Sequence, residues 1–414
     1  MGPLFERFEN GFLSDGETGL TRFALAVFGL VVLLVGARAE NQIVLKSNEA
    51  QLRALFILDA QTSMSIAKAT QIRVVAKPSL SSDVRFNQPV GGEMKIGLRR
   101  ARDYVKKKHG GWVKGADIEL SFGDSYSRKG GSSASLACGL LLDALFTGAR
   151  LDPTVAVTGE LATDGSVTGV RGVAAKIRGA IDRGGSVVLV PLGDHRVVAD
   201  AMLVSGTGDI SRIQVFAVKT ISEAKRIALS ERPADLAEAI TLFGRVQGLI
   251  RENPGAVYST LRSRRIHQVL RRVRELAPNH LSAALLLRWG TGRAPKMLTL
   301  GGSFDYLEQV SDALLEPIRS GVYRKPSGIT TSELVRARSD LNKLRPKLDQ
   351  RVIGYADAIG RFGRLLQKYV DLARDGNKRE RTKILTEIDR AARQIEDEYG
   401  RLSRDPEIVS ELRR

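Results

Sequence analysis

Between about residue 65 and residue 230, short apolar runs alternate with amphipathic stretches; beyond Glu231-Arg232-Pro233 the short runs disappear. This switch constrains the fold more than any other feature. A chain that interleaves strands and helices must build a sheet with helices on it, whereas a chain with only a 3.6-residue period packs helices on helices. In the first part, Gln71–Lys77, Val84–Phe86, Asp117–Phe122, Val155–Thr158, Val167–Thr168, Ser186–Val190 and Ile213–Val218 read as strands. Met94–Lys108, Ala134–Phe146, Val173–Arg183 and Glu223–Ala228 read as helices. Together they make one α/β or α+β domain over residues 65–230. Residues 40–64 carry no strong punctuation and read as a helical lead-in. Residues 231–414 read as a helical accessory domain, with loops near Asn253-Pro254-Gly255, Gly290–Gly302, Gly321–Gly328 and Gly376. In it, Val273–His280 has the look of a tetratricopeptide helix junction, and Tyr355–Leu372 with Arg379–Tyr399 reads as a helical hairpin or an oligomer contact.

Residues 1–39 stand apart. Phe23–Ala37 is uncharged and apolar all round, bracketed by Arg22 and Arg38. As a helix it would reach about 22 Å, short of a hydrocarbon core of about 30 Å. Ala37-Arg38-Ala39 supplies a small-x-small cleavage pattern, which reads as an export signal. The acids before Arg22 are atypical of a signal and keep an uncleaved membrane anchor open. A buried core helix is the third reading. Location is therefore expected to be either periplasmic or extracellular after cleavage, or membrane-anchored.

Several chemistries are excluded by what is missing. The single cysteine, Cys138, makes no internal disulfide, and four scattered histidines without a His-Glu-x-x-His offer no zinc site. No Gly-x-x-x-x-Gly-Lys-Ser/Thr occurs, so no Walker-type ATPase is encoded here. No metal or cofactor is expected. The 64 basic residues exceed the 46 acids by 18, mostly beyond residue 230. The densest run, Leu261–Arg274, could meet phosphates or acidic lipid, but it lacks stacking aromatics, and a solvated helix face with inter-helix ion pairs is the expected reading. Nucleic acid is not the expected partner. Lys106-Lys107-Lys108-His109 ends a helix, where cations complement the dipole.

The stretch Arg128-Lys129-Gly130-Gly131-Ser132-Ser133-Ala134-Ser135 places serines after a glycine loop and at the mouth of an apolar helix. Backbone N–H groups and the positive helix end converge there, a setting that favours an oxyanion. A plain serine N-cap would look the same. A second stretch decides between them. Thr158-Gly159-Glu160 continues through Asp164-Gly165 to Gly172-Val173-Ala174-Ala175-Lys176, and with the first it resembles the proteolytic domain of the Lon proteases. That family carries Lys-Asp-Gly-Pro-Ser-Ala-Gly around its nucleophile, then a Thr-Gly-Glu strand, then a Gly-Gly-x-x-x-Lys helix. Ser133 falls on the nucleophile, Thr158 on the threonine that orients the lysine, and Lys176 on the general base. Gly130, Ser132, Ser135 and Arg171 depart from the motif's aspartate, proline and glycines.

The resemblance covers residues 65–230 and implies an α+β Lon-type domain: a mixed sheet with packed helices, without its ATPase module. It implies an ATP-independent serine endopeptidase with a Ser133–Lys176 dyad, acting on unfolded or flexible protein segments, and a ring-like homo-oligomer. Backbone amides of Gly131–Ser133 would contribute to the oxyanion hole. Lysine works as a base only when neutral, so Lys176 should be drawn off the edge of its helix's apolar stripe and buried rather than snorkelling to solvent. A Ser-His-Asp triad through His195, beside Asp194 in an expected surface turn, is the rival design. The rival of another class is a non-catalytic Lon-fold scaffold whose arginine-rich helices hold a partner or an anionic surface.

Overall fold

The chain divides into two units, Met1–Val44 and Leu45–Arg414. The structure, a computed structural model, describes residues 43–57, 67–123, 131–170, 172–321, 330–374 and 378–412. The apolar run Phe23–Ala37 lies outside the described residues. Among those described, no helix is long and apolar enough to cross a membrane.

Seven strands form one mixed sheet. Strand β1 (Glu49–Ile57) pairs antiparallel with β2 (Ala67–Pro78), from Glu49 opposite Val75 to Ile57 opposite Ala67. Strand β2 pairs antiparallel with β4 (Ala116–Phe122), and β3 (Val84–Phe86) lies parallel to β4 at the edge. On the other side of β1, β5 (Val155–Val157), β8 (Val187–Pro191) and β9 (Gln214–Val218) run parallel to one another and to β1. The two halves differ in sequence for a physical reason. All residues of β5, β8 and β9 are buried, as parallel strands covered on both faces must be. Strand β4 instead alternates: Ile118, Leu120 and Phe122 are buried, while Glu119 faces out to Lys77 at 2.6 Å and Arg85 at 2.7 Å. A two-stranded ribbon, β6 (Glu160–Leu161) with β7 (Val167–Thr168), stands beside the main sheet.

The helical lead-in expected for residues 40–64 is corrected by β1. Its Glu, Gln, Leu, Arg and Ala residues favour helix locally, but pairing with β2 and β5 and the burial of Leu52, Ala54, Leu55 and Phe56 override that preference.

Helices α1 (Gly92–Lys108) and α2 (Ser135–Thr147) pack together, and α2 lies on β1 and β2. Nearly every residue of α2 is buried, which explains its all-round apolar sequence. Helix α3 (Val173–Asp182) also lies against β1 and β2; α4 (His195–Ser205), α5 (Gly208–Arg212) and α6 (Ile221–Ala228) complete this part. The solvated turn expected at Lys106–His109 has a second role. Asp143 of α2, 1% exposed, receives Lys108 at 2.8 Å, His109 at 2.8 Å and Lys225 of α6 at 2.6 Å. Burial pushes its carboxyl up, but the three hydrogen bonds hold it below the usual range.

Beyond α7 (Ala234–Glu252), α8 (Val257–Arg262), α9 (Arg264–Leu276) and α10 (Leu281–Gly290), the chain continues as α11 (Leu300–Arg319), α12 (Thr331–Leu344), α13 (Ile353–Arg374), α14 (Lys378–Arg404) and α15 (Pro406–Leu412). Helices α13 and α14 pack on each other around a core that includes Ile359, Phe362, Ile388 and Ile395. The turn at 279–282 covers the sheet's edge: the Asn279 carbonyl accepts from the Ala217 N–H at 2.9 Å, and the Ser282 hydroxyl accepts from that of Val215 at 2.9 Å. An edge strand that would offer free backbone groups is thereby closed. Asp200 of α4 fastens the helical part again, accepting from the N–H and hydroxyl of Thr299.

Candidate active site

Two segments meet at the serine, and a third, carrying Lys176, reaches them through Thr158. Gly131, at φ 83°, turns the chain into a 3-10 turn, Ser132–Ala134, that leads directly into α2. The left-handed backbone suits glycine. Ser133 sits half-buried at that head.

The turn is stitched to the segment after β5. The Ser133 carbonyl accepts the Gly159 N–H at 2.9 Å and the Thr158 hydroxyl at 3.4 Å. The Leu161 N–H donates to the Ser135 hydroxyl at 2.8 Å, and Leu136 N–H to the Gly159 carbonyl at 3.2 Å. Ser132 donates to the Glu160 carboxylate, which also lies 3.6 Å from Arg100. Close approach at this crossing demands Gly159: its φ is 153°, and a Cβ would lie 2.7 Å from Val167 Cγ1. Ser132 and Ser135, departures from the Lon motif, thus contribute hydrogen bonds to the turn.

Lys176 comes from the third segment, α3, which Gly172 opens at φ 69°. It lies on the helix's buried face with Val173, Ile177 and Ala180 and is 2% exposed. Its ammonium donates to Thr158 Oγ1 at 3.1 Å. Thr158 is itself fully buried, its N–H held by the Leu189 carbonyl at 3.1 Å. A continuous path therefore runs from Lys176 Nζ through the Thr158 hydroxyl to the Ser133 main chain. Burial lowers the Lys176 pKa to about 8; the negative charges of Asp194 and Glu160 oppose part of that fall.

Asp194 is the neighbour that sequence reasoning left out of the lysine's surroundings. It is 8% exposed at the end of the 3-10 turn Leu192–Asp194, accepting from Val170 N–H at 2.9 Å, and burial pushes its carboxyl up. Its position three residues after the β8 proline is the sequence signal that could have marked it. His195 does not lie in a surface turn; it begins α4. Its exposed ring turns Nδ1 to the Leu192 carbonyl at 2.8 Å, while Asp194 is occupied by Val170, so the parts of a triad are not assembled around it. Cys138 is buried in α2 with its thiol pushed up to about 12 by burial, which makes it inert at neutral pH.

Residues 89–231 match the family model for the Lon protease (S16) C-terminal proteolytic domain, and the chain carries a Lon proteolytic domain. The chain is 28% identical over 202 residues to an archaeal Lon protease of Thermoplasma acidophilum, covering 47% of this chain and 29% of the relative. It is 27% identical over 202 residues to that of Thermoplasma volcanium, with the same coverage of 47% and 29%. A Lon protease of Neorickettsia sennetsu is 27% identical over 126 residues, 30% of this chain and 15% of the relative. The chain thus matches less than a third of the length of each of these relatives.

Proposed function

We propose that this protein is an ATP-independent serine endopeptidase in which Ser133 is the nucleophile, Lys176 the general base and Thr158 the residue that holds the base. The observation that carries this reading is the burial of Lys176, with a pKa of about 8, on a hydroxyl that also touches the Ser133 main chain. A serine hydroxyl is a weak nucleophile until its proton is taken. Neutral Lys176 keeps one N–H on Thr158 and turns its lone pair to the Ser133 hydroxyl. Ser133 Oγ then bonds to the scissile carbonyl carbon, and the carbonyl electrons move to oxygen, where amides at the head of the 3-10 turn would stabilise them. Lys176 returns the proton to the leaving amine. Water then hydrolyses the acyl-enzyme by the same route.

Its substrates would be flexible or unfolded protein segments. Cleavage of casein without ATP by the intact protein tests the reading: Ser133→Ala and Lys176→Ala should each abolish it. Persisting cleavage in Ser133→Ala would overturn the assignment. The run Phe23–Ala37 would deliver the chain to a membrane, either cleaved after Ala39 or retained, which the intact mass of the mature protein distinguishes. Assembly as a homo-oligomer would appear in light scattering as a multiple of the chain mass.

A further inference from the structure

Helix α9 turns Ile266, Leu270 and Val273 inward. Its other side exposes Arg264, Arg265, Arg271 and Arg272 against a single carboxylate, Glu275. The ion-paired solvated face that the sequence suggested accounts for only one of these arginines. Arg272 meets Glu238 of α7 at 3.3 Å and Glu275 at 3.6 Å, while among the described residues Arg264, Arg265 and Arg271 are in no ion pair.

The Arg272–Glu238 contact also identifies which stripe of α7 borders this face. Arg245 and Leu249 follow Glu238 at helical spacings that return to the same stripe, and both are exposed, Leu249 by 44%. Because the start of α7 meets the end of α9, Leu249 lies toward the end that begins with Arg264. Tyr258 of α8 is at this end too, 57% exposed, with the Arg262 guanidinium 5.2 Å from its ring centroid. The surface therefore combines unpaired guanidinium groups with a large aliphatic and an aromatic side chain at one margin. It is built from residues outside 89–231, the range that holds Ser133, Thr158 and Lys176.

We infer that this arginine face docks on an anionic lipid bilayer. Basic side chains on one helix face meet a plane of lipid phosphates together, and exposed leucine and tyrosine beside them can enter the headgroup region. Single-stranded nucleic acid would call for a row of stacking aromatics, and this face offers only Tyr258.

The test is co-sedimentation of the full-length protein with vesicles of phosphatidylcholine alone or with about one-third phosphatidylglycerol, at low and high salt. The apolar segment Phe23–Ala37 would contribute equally to both vesicle types, so the readout is the preference for anionic vesicles. Neutralising Arg264, Arg265 and Arg271 to Gln should weaken that preference on the order of 100-fold, from about 1 kcal/mol per basic side chain. Leu249→Ser with Tyr258→Ser should weaken binding at high salt, where charge is screened. Millimolar inorganic phosphate should not compete, because a free ion cannot bridge several arginines. Casein cleavage and far-UV circular dichroism check that each variant is folded. Equal binding to both vesicle types, or an anionic preference unchanged in the triple variant, would overturn the inference. So would tighter binding to an oligonucleotide than to anionic vesicles at the same salt.

Discussion

Lys176→Met is expected to leave the protein inactive and more stable. A lysine shifted from 10.5 to about 8 by burial costs the folded state about 3 kcal/mol while it is protonated in both states. Methionine fills a similar volume without a charge, and Thr158 keeps its bond to the Ser133 carbonyl. The sign follows from the direction of the shift. Between pH 8 and 10.5 the unfolded lysine holds a proton that the folded one has released. The cost is thus complete below pH 8 and fades as pH rises toward 10.5. At pH 6.5 the variant should gain nearly the full amount, and at pH 9.5 only about 1 kcal/mol. Urea unfolding, compared between Ser133→Ala and the Ser133→Ala, Lys176→Met double variant to prevent self-cleavage, measures the difference at both pH values. A variant no more stable than its parent at pH 6.5, or a gain equal at both pH values, would refute the reasoning.

Peptidase activity should rise with pH and reach half its maximum near pH 8, where Lys176 becomes neutral. Asp194→Asn removes a charge that favours protonated Lys176 and should shift that midpoint to lower pH; an unchanged pH–rate profile would show that the carboxylate does not act on the lysine. Gly159→Ala forces a Cβ to 2.7 Å from Val167 Cγ1 at φ 153° and should cost about 3 kcal/mol in thermal or urea unfolding, with loss of activity. Asp143→Ala leaves Lys108, His109 and Lys225 without their shared carboxylate; a loss of about 2–3 kcal/mol is expected, read from the urea midpoint.

Local pattern made much of the fold legible. Strands with continuous apolar runs, such as Val187–Pro191, and helices with a clear period, such as Gly92–Lys108, were visible because burial on one or both faces leaves a period in the chain. Elements whose identity depends on a distant partner were not. The residues of β1 suit a helix, and β2 and β5 make them a strand. The helix beginning at His195 was missed because its short apolar pattern follows a proline and a glycine, which read as a turn.

The sequence by itself determined the order of the segments around the serine, the glycines at 131, 159 and 172 that permit their turns, and the spacing that aligns Ser133, Thr158 and Lys176 with the Lon motifs. Those are properties of neighbouring residues, and local sterics and periodicity suffice to read them. Only the tertiary structure decided that Lys176 is enclosed and held by Thr158, that Asp194 stands among its neighbours, and that Asp143 gathers cations from two other helices. It also decided that the 279–282 turn closes the sheet's edge. Proton affinity and edge protection depend on which atoms surround a group and on how much water they exclude, and residues far apart in the chain supply those atoms.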